Sequence, residues 1–383
     1  MAHTLFVPLM LTLGAGLATG IGSTIALFAH RTNKRLLSFS LGLSGGVMIY
    51  VSFVELFQQA REAIGAIYGP QTGMGITTLA FFGGVLLIGV IDRLVPSVEN
   101  PHEAHMIEEL EKRGKHYYGE TFDLAIGVLS KFKPDSWTKC CIVPGDEGRA
   151  MVKMVATIEG QPVSFYSCHL DYRHYQCYMP RGYNGTTWKK MDKPITDEEE
   201  VLKANRQSFR DETIRAFIQE VQSDIQQGRP IIMGGDFNEP SHLDWQADTK
   251  DLWDHNGAII HWDCSMMLSK AGFKDAYREK FPNTVRYPGF TFPAGNKLAE
   301  EAKLEKLAWA PEADERDRID FIYYYPLESM LSMKDSKLVG PSETVVRGKI
   351  TENDSKDKIL TPSCIWPSDH KGNLATFKIR KKR

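Results

Sequence analysis

Polar and apolar positions divide the chain into two unlike stretches. Runs of Leu, Ile, Val, Phe and Gly occupy Leu5–Ala29, Leu36–Leu56 and Met74–Ile91, with Glu55 the one charge among them. Runs of this length match the apolar core of a bilayer, so they predict three membrane-spanning helices. A cleaved signal peptide fits the first run poorly, because no basic residue precedes it and two more runs follow. Glycines that would weaken a soluble helix allow close helix approach in lipid, and "GLSGG" (Gly42–Gly46) has that character. The loop "HRTNKR" carries three fixed positive charges, whereas Gln58–Gly73 carries one Arg and one Glu. An excess of positive charge marks the cytoplasmic side, which places the N-terminus outside and everything after Arg93 in the cytoplasm. Glu55 is either a functional acid within the membrane or an interfacial carboxylate that reaches water.

From about Glu103 onward the pattern changes. "FDLAIGVLSKF" (Phe122–Phe132) reads as a strand. "RAMVKMVATIEGQPVSFYSCHLDY" alternates on both sides of a turn at Ile158–Gln161 and reads as a hairpin. Val201, Leu202, Phe209, Ile214, Phe217, Ile218, Val221 and Ile225 recur at helical spacing and predict one helix ending at Gly228. "RPIIMGGDFN", "RDRIDFIYYYP" and "KGNLATFKIR" read as further strands. Strands with intervening helices predict an α/β sandwich. The chain of 383 residues is long enough for both parts.

Composition adds little beyond exclusions. Net charge is −2, and no basic stripe points to nucleic acid. The terminal "KIRKKR" reads as a solvated tail. Six cysteines, none in a CxxC pair, read as reduced thiols in a cytosolic compartment; Cys140 and Cys141, if in a strand, face opposite ways.

The candidate chemistry lies at the strand ends. In "GGDFNEP" glycines permit a sharp turn and close approach, and Asp236 and Asn238 share a face if the strand continues. An acid there can deprotonate or orient water, and an amide can donate to a developing oxyanion; the same residues are also ordinary turn formers. His169 ends the strand in "SCHL". Asp317 and Asp320 flank Arg318, and Asp369 and His370 precede the last strand. Four clusters of Asp, Asn and His at strand ends are what a metal-dependent phosphoryl hydrolase requires.

These motifs, "HL" after a strand, then "GDFN", "RIDFI" and "SDH", resemble the endonuclease/exonuclease/phosphatase superfamily over residues 109–383. The resemblance implies a four-layer α/β sandwich and Mg²⁺-dependent cleavage of a phosphoester, with Mn²⁺ as an alternative ion. It assigns Asp236 to the attacking water, Asn238 and His169 to the phosphoryl oxygens, and Asp320 to orienting His370. His370 would stabilise the phosphoryl group or transfer a proton, and Asp369 and Asp236 would lie on the metal side. The family opens with a strand ending in a metal-side Asn and a second ending in Gln-Glu. No counterpart precedes "IEELEKRGKHYYGE", and Glu108, Glu109 and Glu111 read as a solvated helix face, so the metal is expected to bind weakly.

Residues 1–108 resemble the first three helices of ZIP-family zinc transporters of the ZupT type, through "RLLSFSLGLSGGVMIYVSFVELF" and "GGVLLIGVIDRLVPSVENPHE". The His-Asn-x-Pro-Glu-type metal motifs of that family occur nowhere in the chain. The expectation is a phosphoester or phosphodiester hydrolase tethered to the inner membrane on its cytoplasmic side, acting on a small substrate in preference to nucleic acid. The alternative is a zinc transporter fragment joined to a non-catalytic soluble domain. The aromatic segments "DYRHYQCYMPRGYNGTTWKKMDKP" and "RYPGFTFPAGN" either wall a substrate pocket or pack internally.

Overall fold

The computed structural model describes residues 50–94, 114–123, 126–145, 151–297, 308–328, 330–364 and 366–380. The first expected span, most of the second, and Glu108, Glu109 and Glu111 lie outside them. The chain separates into two compact units, Met1–Glu99 and Asn100–Arg383.

In the first unit a π-helical turn, Val51–Leu56, leads into α1 (Phe57–Tyr68), followed by α2 (Pro70–Leu94). Glu55 lies in the π-helical turn. Gly69 at φ 87° ends α1 and donates its N–H to Gly65 O at 2.9 Å. Pro70 then opens α2 at a position whose N–H would be unused anyway. The two helices approach so closely that a Cβ on Gly73 would sit 2.5 Å from Gly65 Cα. Apolar side chains face outward along α2, with Leu79 77% and Leu86 71% exposed. Among the described residues no helix is long and apolar enough to cross a membrane. In α2 the third expected run, Met74–Ile91, is helical throughout.

The second unit is built on a mixed six-stranded sheet. Its strands are β3 (Pro134–Cys140), β4 (Met151–Ile158), β5 (Gln161–His169), β6 (Ile231–Asp236), β7 (Lys274–Asp275) and β8 (Asp320–Tyr325), in the order β3-β4-β5-β6-β8-β7. Ahead of it, Tyr118–Asp123 (β1) and Ile126–Ser130 (β2) form a separate antiparallel hairpin. The single strand expected at Phe122–Phe132 is therefore the end of one strand and the whole of the next. The β4–β5 hairpin turns at Glu159 and Gly160, both at positive φ (51° and 84°), as a two-residue hairpin with right-handed twist requires.

The helix expected between β5 and β6 is two: α3 (Glu198–Asn205) and α4 (Arg210–Gln226). Ser208 Oγ donates to Asn205 O at 2.9 Å, a local bond that competes with helix continuation. Beyond β6 come α5 (Asp263–Lys270) and α6 (Ala276–Lys280). Ile214, Phe217 and Val221 of α4 and Leu268 of α5 cover one face of the sheet against Tyr166, Ile231 and Met233.

After β8 come β9 (Leu331–Val339), β10 (Thr344–Val346), β11 (Lys349–Thr351), β12 (Ile359–Leu360) and β13 (Gly372–Ile379). A three-stranded sheet, β12-β9-β13, packs Met333, Ala375, Phe377 and Ile379 near Ile232 and Ile322 on the other face. The described residues thus make a helix–sheet–sheet stack with a short second sheet, where four layers were expected. Within this stack β13 has a strand partner on one side only. All six cysteines are free. Cys140 and Cys141 do not face opposite ways: β3 ends at Cys140, Cys141 takes φ 54°, and both thiols are buried in the same core.

Candidate active site

β5 and β6 run parallel, and β6 and β8 antiparallel, in a register that sets His169 opposite Asp236 and Asp236 opposite Asp320. Opposed residues on adjacent strands point to the same face. One rung of the sheet therefore carries three of the expected residues. His169 Nε2 lies 3.5 Å from Asp236 Oδ2. His370, in the loop before β13, reaches the same rung, and its Nδ1 is 2.9 Å from Asp320 Oδ2. Ligand atoms of Asp236, Asp320 and His370 all fall within 4.8 Å of one another.

"GGDFNEP" can now be read residue by residue. Gly235 is required: a Cβ there would meet Cys168 O at 1.9 Å. Gly234 is less constrained, since its Cβ would meet Phe321 O at 3.4 Å. Asp236 ends the strand and faces the site. Phe237 turns into the core, 5.0 Å from the Phe321 ring. Asn238 takes φ 48° and returns to the site, its N–H donating to Asp236 Oδ1 at 2.7 Å and its Nδ2 to Leu170 O at 3.0 Å. That second bond uses one of the two amide hydrogens and ties the loop after β5 to the loop after β6. Glu239 is buried and serves the fold.

His370 is fixed at several points. Its N–H donates to Ser368 Oγ at 3.0 Å, Trp366 Nε1 donates to its carbonyl at 2.7 Å, and the Phe292 ring lies 4.9 Å from the imidazole. Asn373 Nδ2 donates to Asp320 O at 2.8 Å, and Thr291 Oγ1 accepts from the Asp320 N–H at 3.1 Å. Burial alone would lower the basicity of His370. The Asp320 carboxylate, with Asp236 and Asp369 behind it, outweighs burial and raises the imidazole to about 9. Burial pushes the Asp236 carboxyl up to about 7, and the Asp320 charge adds to this against the opposing pull of His370 and the Asn238 N–H. The side chains of Asp236, Asp320 and His370 are 17–25% exposed and that of His169 34%, so a ligand can reach the group.

Two expected residues are placed differently. Asp369 is exposed and outside the cluster, acting on His370 through its charge. Asp317 is a structural group: its carboxylate pairs with buried Arg181 at 2.6 Å and accepts from Trp245 Nε1 at 3.1 Å. The aromatic insert mostly packs, with Tyr175, Tyr178 and Tyr183 in a core with Trp245 and Trp262. Thr291, Phe292, Trp366 and Asn373 were not expected. Asn373 sits three residues after His370, and Thr291 and Phe292 lie in the aromatic segment already noted.

A divalent cation fits this donor set in part. Asp236 Oδ1 already accepts from the Asn238 N–H and its Oδ2 lies 3.5 Å from His169 Nε2, while Asp320 and His370 are bonded to each other and His370 is cationic near neutrality. Mg²⁺ is commonly held by one or two carboxylates, waters and substrate phosphate, so the set suits a weakly held ion. A second acidic group, Asp211, Glu239 and Cys264, is fully buried. Arg215 pairs with Asp211 at 3.2 Å and Arg210 approaches Glu239 at 3.6 Å, so cations already serve it.

No family model matches the chain. Its first part is similar to "Zinc transporter ZupT" of Clostridium perfringens, 53% identical over 111 residues, covering 29% of this chain and 39% of the transporter. The same protein of Oceanobacillus iheyensis is 55% identical over 103 residues, 27% of this chain and 38% of the transporter. The chain thus spans about two fifths of the length of these curated relatives. Among solved structures, TDP2 of D. rerio complexed with a single-strand DNA product aligns over 72% of this chain and 82% of its own, at 15% identity and a TM-score of 0.39. The human Nocturnin catalytic domain with bound sulfate covers 72% and 77% at 15% and 0.39. An endonuclease/exonuclease/phosphatase family protein of Leptotrichia buccalis covers 72% and 76% at 18% and 0.34. The chain therefore joins a segment similar to part of a zinc transporter to a larger part that resembles, by its motifs, the endonuclease/exonuclease/phosphatase superfamily.

Proposed function

We propose that residues 109–383 are a hydrolase domain for phosphoesters or phosphodiesters and that residues 1–108 tether it to a membrane, with the domain on the cytoplasmic side. The observation that carries the first half is the single rung holding His169, Asp236 and the Asp320–His370 pair at the open ends of three strands. Asp236, raised to about 7, is a base matched to neutral pH. A water attacks phosphorus as Asp236 takes its proton. The P–O bond to the leaving group breaks with its electron pair on oxygen, and cationic His370 supplies a proton there or holds the charge. His169 and the remaining amide hydrogen of Asn238 donate to the phosphoryl oxygens. Asp236 would hold Mg²⁺ or Mn²⁺ weakly, with Asp369 outside the cluster adding only its charge, and the ion would supply Lewis-acid polarisation of the phosphoryl oxygen. Basic residues are not clustered into a stripe, which favours a small substrate over nucleic acid. The tether rests on the similarity to ZupT and on the outward apolar side chains of α2; a second reading, a zinc transporter fragment carrying a non-catalytic domain, rests on that similarity alone.

The test is hydrolysis of a bis-aryl phosphodiester with and without Mg²⁺, with Asp236→Ala as the blank. Turnover above the blank, raised by Mg²⁺ only at high concentration, is expected. Identical rates for the wild type and Asp236→Ala would remove the proposal.

A further inference from the structure

Arg210 opens α4 with its side chain fully buried, and its guanidinium meets the loop after β5 from beneath. Nη1 donates to Asp171 O at 2.6 Å and Arg173 O at 2.9 Å, and Nη2 donates to His174 O at 2.8 Å and Asn205 Oδ1 at 2.5 Å. Three carbonyls of the five residues that follow His169 are therefore gathered on one planar cation. Nε lies 3.6 Å from Glu239 Oε2, and Asn205 Nδ2 donates to that same oxygen at 2.6 Å. Glu239 is the residue after Asn238, and its Oε1 accepts from Cys264 N at 2.8 Å. The loop after β5 is tied back as well, since Asp171 Oδ2 accepts from the Phe209 N–H at 3.2 Å.

We propose that Arg210 is a positioning residue that holds the loop that follows His169 and the loop that carries Asn238 in fixed relation. The chemistry favours arginine over lysine. A planar fork spans several acceptors at once, whereas an ammonium has three donors around one point. The bonds converge from two loops that also meet at Leu170, through Asn238 and the Asp236 carbonyl. Without the guanidinium, three loop carbonyls and the Glu239 carboxylate lose their shared cation together, and the placement of Asn238 relative to the loop after His169 is no longer set. The proposal rests on the hydrolase reading for its kinetic consequence and on geometry alone for its structural one.

The test uses the full chain in Arg210→Lys, Arg210→Ala and Asn205→Ala forms, with two readouts. In the bis-aryl phosphodiester assay, kcat for Arg210→Ala is expected to fall about 10²-fold, as misplacement of reacting groups does, with KM nearly unchanged. Millimolar guanidinium restores part of it and methylammonium does not; a merely structural loss would not respond to the shape of the added cation. In NMR, the His169 imidazole resonances move in each folded variant and return with guanidinium in Arg210→Ala. If the wild type is no faster than Asp236→Ala, the hydrolase reading fails, and the His169 resonances still decide the positioning role. Should Arg210→Ala not fold, Arg210→Lys and Asn205→Ala decide it. His169 resonances unmoved in every folded variant, or wild-type kcat in Arg210→Lys, would overturn the proposal.

Discussion

Asp320→Asn isolates the electrostatic link on which the site depends. The substitution keeps the shape of the side chain and removes the charge that lies 2.9 Å from His370 Nδ1. His370 is held at about 9 against an ordinary 6.5, and Asp320 is the largest of the groups that raise it. A difference of that size corresponds to roughly 3 kcal/mol between protonation states at about 1.4 kcal/mol per unit. Without Asp320, burial pulls the imidazole back to its ordinary value or below. Protonated His370 near pH 7 then falls from about 99% to under about 25%. The sign for stability follows from the raised value. The pair's contribution is complete below 6.5, the unfolded value, and is lost as pH rises through 9 in the folded protein. The assay is an NMR titration of His370 in both forms, paired with the pH–rate profile for the phosphodiester. The alkaline limb of the wild-type profile should follow His370 and shift down by two or so units in Asp320→Asn. His370 titrating near 9 in the variant, or near 6.5 in the wild type, would refute the reasoning.

Three further outcomes are expected. Asp317→Asn leaves Arg181 buried without its charge partner, 2.6 Å away in the wild type, and should cost about 3–5 kcal/mol in urea unfolding; an unchanged midpoint would show that Asp317 is not structural. Gly235→Ala should abolish soluble folded protein, whereas Gly234→Ala should be tolerated, because the two Cβ atoms would meet backbone oxygens at 1.9 Å and 3.4 Å; circular dichroism of the two variants tests this, and equal behaviour would contradict it. Leu374→Lys should slow self-association measured by light scattering, since Leu374 is 40% exposed on β13 and a charge on an unpaired strand edge opposes pairing with another chain; no change would mean that the edge is not the contact.

Much of the site was legible because strand ends announce themselves: an apolar run stopping at a polar residue located His169, Asp236 and Asp320 without knowledge of their register. The pairing of Asp320 with His370 followed only from the resemblance, because a loop residue's reach depends on tertiary packing. Asp317 was misjudged for a related reason. It sits three residues from Asp320 and is chemically identical, and only the position of Arg181, distant in sequence, decides that one faces the core and the other the cleft. The break between α3 and α4 was hidden because apolar spacing continues across it, while the local bond from Ser208 to Asn205 that interrupts the helix leaves no mark on that pattern. Cys141 escaped the strand rule through a positive φ that no alternation pattern encodes. Arg210 carries no mark in the sequence pattern, because its burial depends on three carbonyls supplied by another loop.

The rung shared by β5, β6 and β8 also bears on how the chain acquires activity. Its members, His169, Asp236 and Asp320, are spread over some 150 residues of sequence, and none is near another until the three strands have paired. Pairings so distant in sequence form late, because loop closure costs entropy before the contact returns anything. On the proposed function, partly folded or newly emerging chains therefore lack the arrangement that would attack a phosphoester, and onset of any hydrolysis during refolding would report completion of the central sheet better than the regain of helical signal does.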